Sequence, residues 1–208
     1  TDLRMELPLL VVEPDSAEQV AALVKLANDM KFALIPRGGG SGMTGGAVPA
    51  RKRTVIVSLT RLTKIGPIDL ENMTVTVEAG AITQNVIKAV DAAGALFSVD
   101  PASKQASSIG GNVSENAGGP SAFEYGTTLD NLLWWRMVTP TGEIISVERE
   151  NHPRHKILPE ETAVFVVKDI SGGVRNVIHL RGDYLLIVTI GIVEIVRIAL
   201  INDAVSYT

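Results

Sequence analysis

The stretch that most constrains this chain is Pro36-Arg37-Gly38-Gly39-Gly40-Ser41-Gly42-Met43-Thr44-Gly45-Gly46, which holds six of the 19 glycines in eleven residues. A segment so short of side chains exposes its backbone N–H groups, and successive N–H groups in a tight loop form an anion-binding concavity. Glycine also lets a ligand approach the backbone closely. The chemistry implied is a phosphate or pyrophosphate cradle. A P-loop needs Lys-Ser or Lys-Thr to close it, and neither is here. Gly40, Gly42 and Gly45 satisfy G-x-G-x-x-G, but that fingerprint runs into a helix and is followed by an acidic residue about 20 positions on. Here Pro49, Arg51-Lys52-Arg53 and the strand-like Thr54–Val57 follow, with Ile65 and Gly66 where the acid belongs. A loop between strands, holding a dinucleotide without a helix dipole, fits best. The competing structural reading is a flexible surface loop.

The segment before the loop predicts a β-α-β unit. Leu9–Val12 reads as a strand, and Asp15 or Ser16 caps a helix, with Glu18 three residues after Asp15 as in a capping box. Val20, Leu23, Val24 and Ala27 recur at helical spacing, the helix ends near Met30-Lys31, and Phe32–Ile35 reads as a buried strand. The loop thus sits at the carboxyl end of a strand, where ligands of open α/β sheets bind.

Strands are expected at Thr54–Leu59 and, half-exposed, at Thr74–Glu78, with turns at Gly66-Pro67 and Glu71-Asn72. A helix runs from about Thr83 to Ala93, with Gly94 at its C-terminal end. A second glycine-rich element follows, from Asp100-Pro101-Ala102-Ser103 through Ser107-Ser108-Ile109-Gly110-Gly111-Asn112-Val113-Ser114-Glu115-Asn116-Ala117-Gly118-Gly119-Pro120. It reads as a long polar loop, and such loops in compact domains are functional or disordered. Ser107, Ser108 and Asn112 offer hydroxyl and amide groups to phosphate oxygens or a flavin edge. Two such elements suit an extended dinucleotide.

Further on, a helix is expected from Leu129, strands at Trp135–Val138 and Ile144–Val147, and a hairpin of Ala163–Lys168 with Val174–Leu180 turning at Gly172-Gly173. Trp134 and Trp135 read as core. His152, His155 and His179 lack the spacing and acidic partner of a metal site. Tyr184–Ile201 is apolar, but Glu194, Arg197 and many β-branched residues favour two strands with a turn near Ile190-Gly191 over a membrane span. Peripheral membrane association stays open. A net charge of -4 argues against a nucleic-acid-binding face, and the absence of cysteine excludes thiol catalysis and cluster ligation by this chain. No signal peptide is legible, so a cytoplasmic location is expected.

The Pro36–Pro49 and Asp100–Glu143 segments together resemble the FAD-binding domain of the p-cresol methylhydroxylase and vanillyl-alcohol oxidase superfamily, nearest its D-lactate dehydrogenase and glycolate oxidase FAD subunits. Pro-Arg-Gly-Gly-Gly-Ser-Gly, Ser-Ile-Gly-Gly-Asn-Val-Ser-Glu-Asn-Ala-Gly-Gly, Tyr-Gly-Thr-Thr and Pro-Thr-Gly-Glu fall in that family's order. The resemblance implies an α+β fold of two subdomains, a small β-α-β unit over about 1–60 and a larger mixed sheet with flanking helices over about 61–208, with an inserted hairpin over about 148–182. It implies FAD bound without a covalent link, because the first loop has no His. The pyrophosphate would meet Pro36, Arg37, Gly38, Gly39, Gly40, Ser41 and Gly42, with Met43 and Thr44 nearby. Pro101, Ser107, Gly110, Gly111, Asn112 and Ser114 would face the ribityl chain and isoalloxazine, with Ala117 and Gly118 close to the flavin and Ile192 giving backbone contacts. Leu186-Ile187-Val188 replaces the Ser-Glu-Gly of family members.

The implied activity is oxidation of a 2-hydroxy acid such as D-lactate or glycolate by hydride transfer to flavin. A substrate domain following the FAD domain is absent from the sequence, no side chain reads as the catalytic base, and an iron–sulfur subunit or domain is the expected electron acceptor. The alternatives are a non-catalytic flavin-holding electron-transfer subunit, or another flavoenzyme of the same fold such as an enolpyruvyl-sugar reductase or a molybdenum-hydroxylase FAD subunit.

Overall fold

The computed structural model describes residues 5–152, 155–181, 192–199, 201 and 202, with the backbone alone for 181 and beyond. The chain starts with a β-α-β unit. Strand β1 (Leu10–Val12) leads to helix α1 (Ala17–Met30), then to β2 (Ala33–Arg37), and β3 (Thr54–Ser58) lies between them, parallel to both. Every residue of β3 is buried, as befits the centre of a parallel sheet. β2 is an edge strand and is partly exposed, which corrects its reading as a buried one. Its apolar run reflects one packed face only.

Helix α1 buries Ala17, Val20, Ala21, Val24 and Ala27. Its N-cap is Ser16, whose hydroxyl accepts from the Gln19 N–H, while the Gln19 side chain accepts from the Asp15 N–H. The reciprocal pair is therefore Ser16 with Gln19, not Asp15 with Glu18; Asp15 instead pairs with Arg61 at 2.6 Å. The helix ends at Lys31, which takes left-handed φ 55°.

A seven-stranded, largely antiparallel sheet makes the second layer. Its strands are β4 (Ile65–Asp69), β5 (Thr74–Glu78), β7 (Leu132–Val138), β8 (Ile144–Arg149), β9 (Thr162–Asp169), β10 (Val174–Arg181) and β11 (Ile192–Ala199). They are ordered β10-β9-β8-β7-β11-β5-β4. The late strand β11 inserts between β7 and β5, closing a long loop in sequence. The expected hairpin is present as β9–β10 and continues the edge beyond β8. Its connection is the four residues between Asp169 and Val174, not a two-residue Gly-Gly turn. Asp169 Oδ1 accepts from the Ser171 N–H, the Ser171 hydroxyl and the Gly173 N–H, so one carboxylate organises the whole loop. Strand β4 passes through Gly66-Pro67, where the sequence suggested a turn; the register shift between Ile65 and Ile68 absorbs the proline. β5 is more buried than expected, because it has neighbours on both sides.

Helix α1 lies against β2, β7 and β8 and so ties the two sheets together. Asn28 reinforces the join by donating to the Pro140 carbonyl at 2.8 Å. The core contains Val20, Val57, Leu62, Val75, Val77, Val86, Val90, Ile109, Leu132, Trp135 and Phe165. Trp135 meets Phe165 edge-on with centroids 5.6 Å apart. Trp134 is only partly buried. The reading of a turn near Ile190-Gly191 falls outside the described residues.

Helix α2 (Thr83–Ala92) matches its expected span. The second glycine-rich element does not read as a loop throughout: Ile109–Glu115 is helix α3, capped by the Ser108 hydroxyl, which accepts from the Gly111 N–H. Two glycines weaken a helix by about 1 kcal/mol each, and packing overrides that here. A β-carbon on Gly110 would lie 2.7 Å from the Ala79 side chain, so only glycine lets α3 settle on this surface.

Candidate binding cleft between two glycine-rich ribbons

The two ribbons touch. A β-carbon on Gly38 would sit 1.9 Å from Ser108 Oγ, and one on Gly39 would sit 1.7 Å from the Ala106 carbonyl oxygen. These glycines serve close packing between the ribbons, a role that glycine content alone does not distinguish from ligand approach. Along their junction runs a cleft of about 530 Å³, within the range of small-molecule sites.

The first wall is Pro36, Arg37, Gly38, Gly39, Gly40, Ser41 and Gly42, joined by Gly46 and Ala47. Among the described residues, the backbone N–H groups of Gly38 to Gly42 donate to no protein acceptor. Gly40 has φ +66°, and a β-carbon there would lie 2.7 Å from the Arg37 guanidinium, so a cation flanks the unpaired donors. Free N–H groups beside a positive charge suit an anion.

The second wall is Ser103, Ser107, Ser108, Gly110, Gly111, Asn112, Ser114, Glu115, Asn116, Ala117 and Gly118. The N–H groups of Ile109, Gly110, Gly111 and Asn112 are already paired, with Ala81 and Ala79 carbonyls and with Ser108. This wall therefore offers side-chain polarity rather than free amides. Ser107 and Asn112 are buried in it. Leu59 closes the cleft from the small sheet.

Three residues that the sequence reading placed here do not line the cleft. Met43 is 98% exposed, and Thr44 donates its hydroxyl to Glu115 Oε1 of the second wall at 3.0 Å. Pro101 is buried, its carbonyl accepting from the Lys104 N–H. Ile192 opens β11 opposite Val138, and its side chain lies outside the described residues. The residues that sequence reasoning missed are Gly46, Ala47, Leu59, Ser103, Glu115 and Asn116 among the cleft linings; Ser108 had been noted only for its hydroxyl. Gly46 and Asn116 stood inside the two motifs, whereas nothing in the sequence marks Leu59.

The Tyr125-Gly126-Thr127-Thr128 motif buttresses the second wall. The Thr128 N–H and hydroxyl both donate to the Ala117 carbonyl, at 2.9 and 2.7 Å, and Asn116 Oδ1 accepts from the Leu129 N–H. The helix expected from Leu129 is absent. Asp130 accepts from Thr127 and from the Ile157 N–H, and Asn131 donates to the Tyr125 and Thr127 carbonyls. Such side-chain bonds compete with helix formation. The short helix is instead α4 (Ala122–Tyr125). Behind it, Arg149 is buried and donates to the Leu129 and Asp130 carbonyls. Burial pushes its guanidinium below the usual arginine range, opposed by the charges of Asp130 and Glu161.

His152 Nε2 lies 2.8 Å from the Asp130 carbonyl, and His155 lies near Glu161. No group of three metal-ligating side chains occurs among the described residues. No helix among them is long and apolar enough to cross a membrane.

Residues 8–148 match the family described as FAD binding domain. The chain belongs to that family. Its cofactor is FAD, and the cleft chemistry fits: unpaired amides and a guanidinium for a pyrophosphate, hydroxyl and carboxamide groups for a hydroxylated, hydrogen-bonding remainder. The D-lactate dehydrogenase of Anaerostipes hadrus is 40% identical over 140 residues, which are 67% of this chain and 29% of that protein. Glycolate oxidase subunit GlcD of Bacillus subtilis is 33% identical over 139 residues, with the same shares. The chain therefore spans less than a third of the length of these relatives. In fold it superposes on alkyldihydroxyacetonephosphate synthase with TM-score 0.65 and 25% identity, covering 92% of this chain and 31% of that one. The architecture is that of the p-cresol methylhydroxylase-type FAD-binding fold, α+β in class.

Proposed function

We propose that this chain is the FAD-holding part of an oxidoreductase that oxidises a 2-hydroxy acid of the D-lactate or glycolate type, with the flavin bound non-covalently. The observation that carries the reading is the run of amides at Gly38–Gly42, unpaired among the described residues, in one wall of a cleft whose other wall is polar. The amides and Arg37 would hold the pyrophosphate, each charge-assisted bond contributing roughly 1.5–3 kcal/mol. Ser107 and Asn112 would orient the flavin half. Bound FAD supplies the two-electron acceptor for the hydride leaving the alcohol carbon. The hydroxyl proton needs a base; Glu115, the carboxylate among the described cleft-lining residues, accepts from the Thr44 hydroxyl, and we assign the base to a group outside this chain. The sizes of the relatives support a further substrate domain, and the word subunit in the name of one supports a partner chain; an iron–sulfur group in that partner remains part of the proposal. Among the described residues no histidine lines the cleft, which supports a non-covalent link.

The test is uptake. The 208-residue chain incubated with FAD and desalted should retain a yellow chromophore that denaturation releases into the supernatant. A colourless protein would sink the reading. Chromophore that stays with precipitated protein would refute the non-covalent part. Flavin bleaching by D-lactate or glycolate, once a substrate domain is supplied, would separate the enzyme from a purely flavin-holding subunit.

A further inference from the structure

The polar groups of the second wall are held from behind by one hydroxyl. Thr83, the first residue of α2, is 0% exposed and does not line the cleft. Its N–H donates to the Ser107 carbonyl at 2.9 Å. Its Oγ1 lies 3.1 Å from that carbonyl oxygen, 2.8 Å from Ser107 Oγ and 2.9 Å from Asn112 Nδ2. On either side, Ile109 and Gly110 donate to the Ala81 and Ala79 carbonyls and Ile82 bridges Ser108, so 79–83 forms a rigid backing for 107–110.

A hydroxyl has one hydrogen and two lone pairs. The Ser107 carbonyl can only accept, so its 3.1 Å contact is a hydrogen bond only with the Thr83 hydrogen directed there, which settles a Thr83–Ser107 hydroxyl contact that by itself allows either donor. Asn112 Nδ2 can only donate, so it takes one Thr83 lone pair. The remaining lone pair receives the Ser107 hydroxyl hydrogen. All three contacts are then satisfied at once, as a site buried this deeply requires. The consequence falls on Ser107. Ser107 lines the cleft, and with its hydrogen committed backward its hydroxyl has only lone pairs left to offer there. A phosphate oxygen, itself an acceptor, is repelled there, whereas an O–H or N–H is welcomed.

We propose that Thr83 is a positioning residue that fixes Ser107 as a hydrogen-bond acceptor toward the cofactor, so that this wall receives a donor of the flavin half of FAD and not its pyrophosphate. The inference rests on the cleft's being the FAD site. It also divides the labour between walls: donors on the glycine loop for the anion, an acceptor on the opposite side for the flavin half's ribityl hydroxyls or ring N–H.

The test compares dissociation constants of FAD and of ADP, measured by fluorescence and calorimetry, for the parent chain, Thr83→Val and Thr83→Ser, with circular dichroism to check folding. Thr83→Val keeps the shape and removes the hydroxyl. It should weaken FAD about tenfold, which is about 1.4 kcal/mol, and leave ADP within about twofold. Thr83→Ser should restore FAD to within about twofold of the parent. FAD methylated at ring N3 assigns the donor: loss of the Thr83 dependence identifies the ring N–H, and its persistence identifies a ribityl hydroxyl. Equal weakening of ADP and FAD by Thr83→Val, unchanged FAD binding, or failure of Thr83→Ser to rescue would each overturn the proposal. A parent chain that takes up no FAD would instead refute the cofactor reading. If Thr83→Val does not fold, Thr83→Ser, Thr83→Cys and Thr83→Ala should weaken FAD in that order at unchanged ADP affinity, and a flat series would overturn the proposal.

Discussion

Replacing Gly39 by alanine places a methyl carbon 1.7 Å from the Ala106 carbonyl oxygen, 2.8 Å from its carbon and 3.2 Å from the Ser107 α-carbon. All three atoms are backbone, so no side chain can swing aside. Ordinary contact begins near 3.4 Å, and the ribbons must part by roughly 1.5 Å or more. Overpacking of this kind costs about 1–3 kcal/mol in stability. The same displacement misaligns at least one amide donor from the pyrophosphate. At roughly 1.5–3 kcal/mol for a charge-assisted bond, that lowers FAD affinity about 10- to 100-fold. The stability control is Gly46→Ala, whose new methyl meets nothing nearer than Glu115 Oε1 at 3.7 Å; it should stay within about 0.5 kcal/mol of the parent. Fluorescence titration with FAD and urea unfolding of both variants make the comparison. Parent-like FAD affinity in Gly39→Ala would refute the claim that contact between the ribbons shapes the cleft.

Lys31 holds left-handed φ 55° at the end of α1, so Lys31→Gly should stabilise the chain by about 0.5–1 kcal/mol, read as a rise in thermal midpoint. Arg149→Met removes the buried donor to the Leu129 and Asp130 carbonyls and should cost about 2–3 kcal/mol in urea unfolding; a neutral result would show that water replaces it. Asp169 is held below the usual carboxylate range, chiefly by the Ser171 hydroxyl and then by the Gly173 N–H. Its contribution is present above the unfolded value of about 3.9 and is lost as pH falls through the lower folded value. Amide protection factors in the β9–β10 hairpin, corrected for the intrinsic exchange rate, should therefore fall below about pH 4, and Asp169→Asn should abolish that acid step.

The sequence signals that proved legible were local ones. Val20, Val24 and Ala27 at helical spacing with Ser16 before them marked α1, and Lys31 ended it where expected. The glycine loop declared the cleft because a segment without side chains has little to offer except amides. What stayed hidden depends on distant partners. Strand β11 enters the middle of the large sheet between strands from far earlier in the chain, and no local pattern encodes that choice. Helix α3 contains Gly110-Gly111, residues of poor helix propensity, and packs so closely on Ala79 that a β-carbon on Gly110 would lie 2.7 Å from its side chain, a contact that only the fold reveals. Asp130 and Asn131 sit in an apolar-flanked stretch that imitates a helix start, yet their side chains tie up the backbone of the preceding turn. Gly38 and Gly39 were legible as glycines that matter, but whether the space beside them belongs to ligand or protein is visible only once the second ribbon is in place.

The central claim is that both ribbons form one FAD cleft, with donors on one wall and acceptors on the other. Amide chemical shifts of the isotope-labelled chain, followed during titration with FAD and then with ADP, test it most directly. FAD should shift the amides of Gly38–Gly42 and of Ser107–Asn112 together with one saturation curve, while ADP should shift the Gly38–Gly42 set and leave Ser107 and Asn112 little changed. Shifts confined to one ribbon on adding FAD, or separate saturation curves for the two, would contradict it.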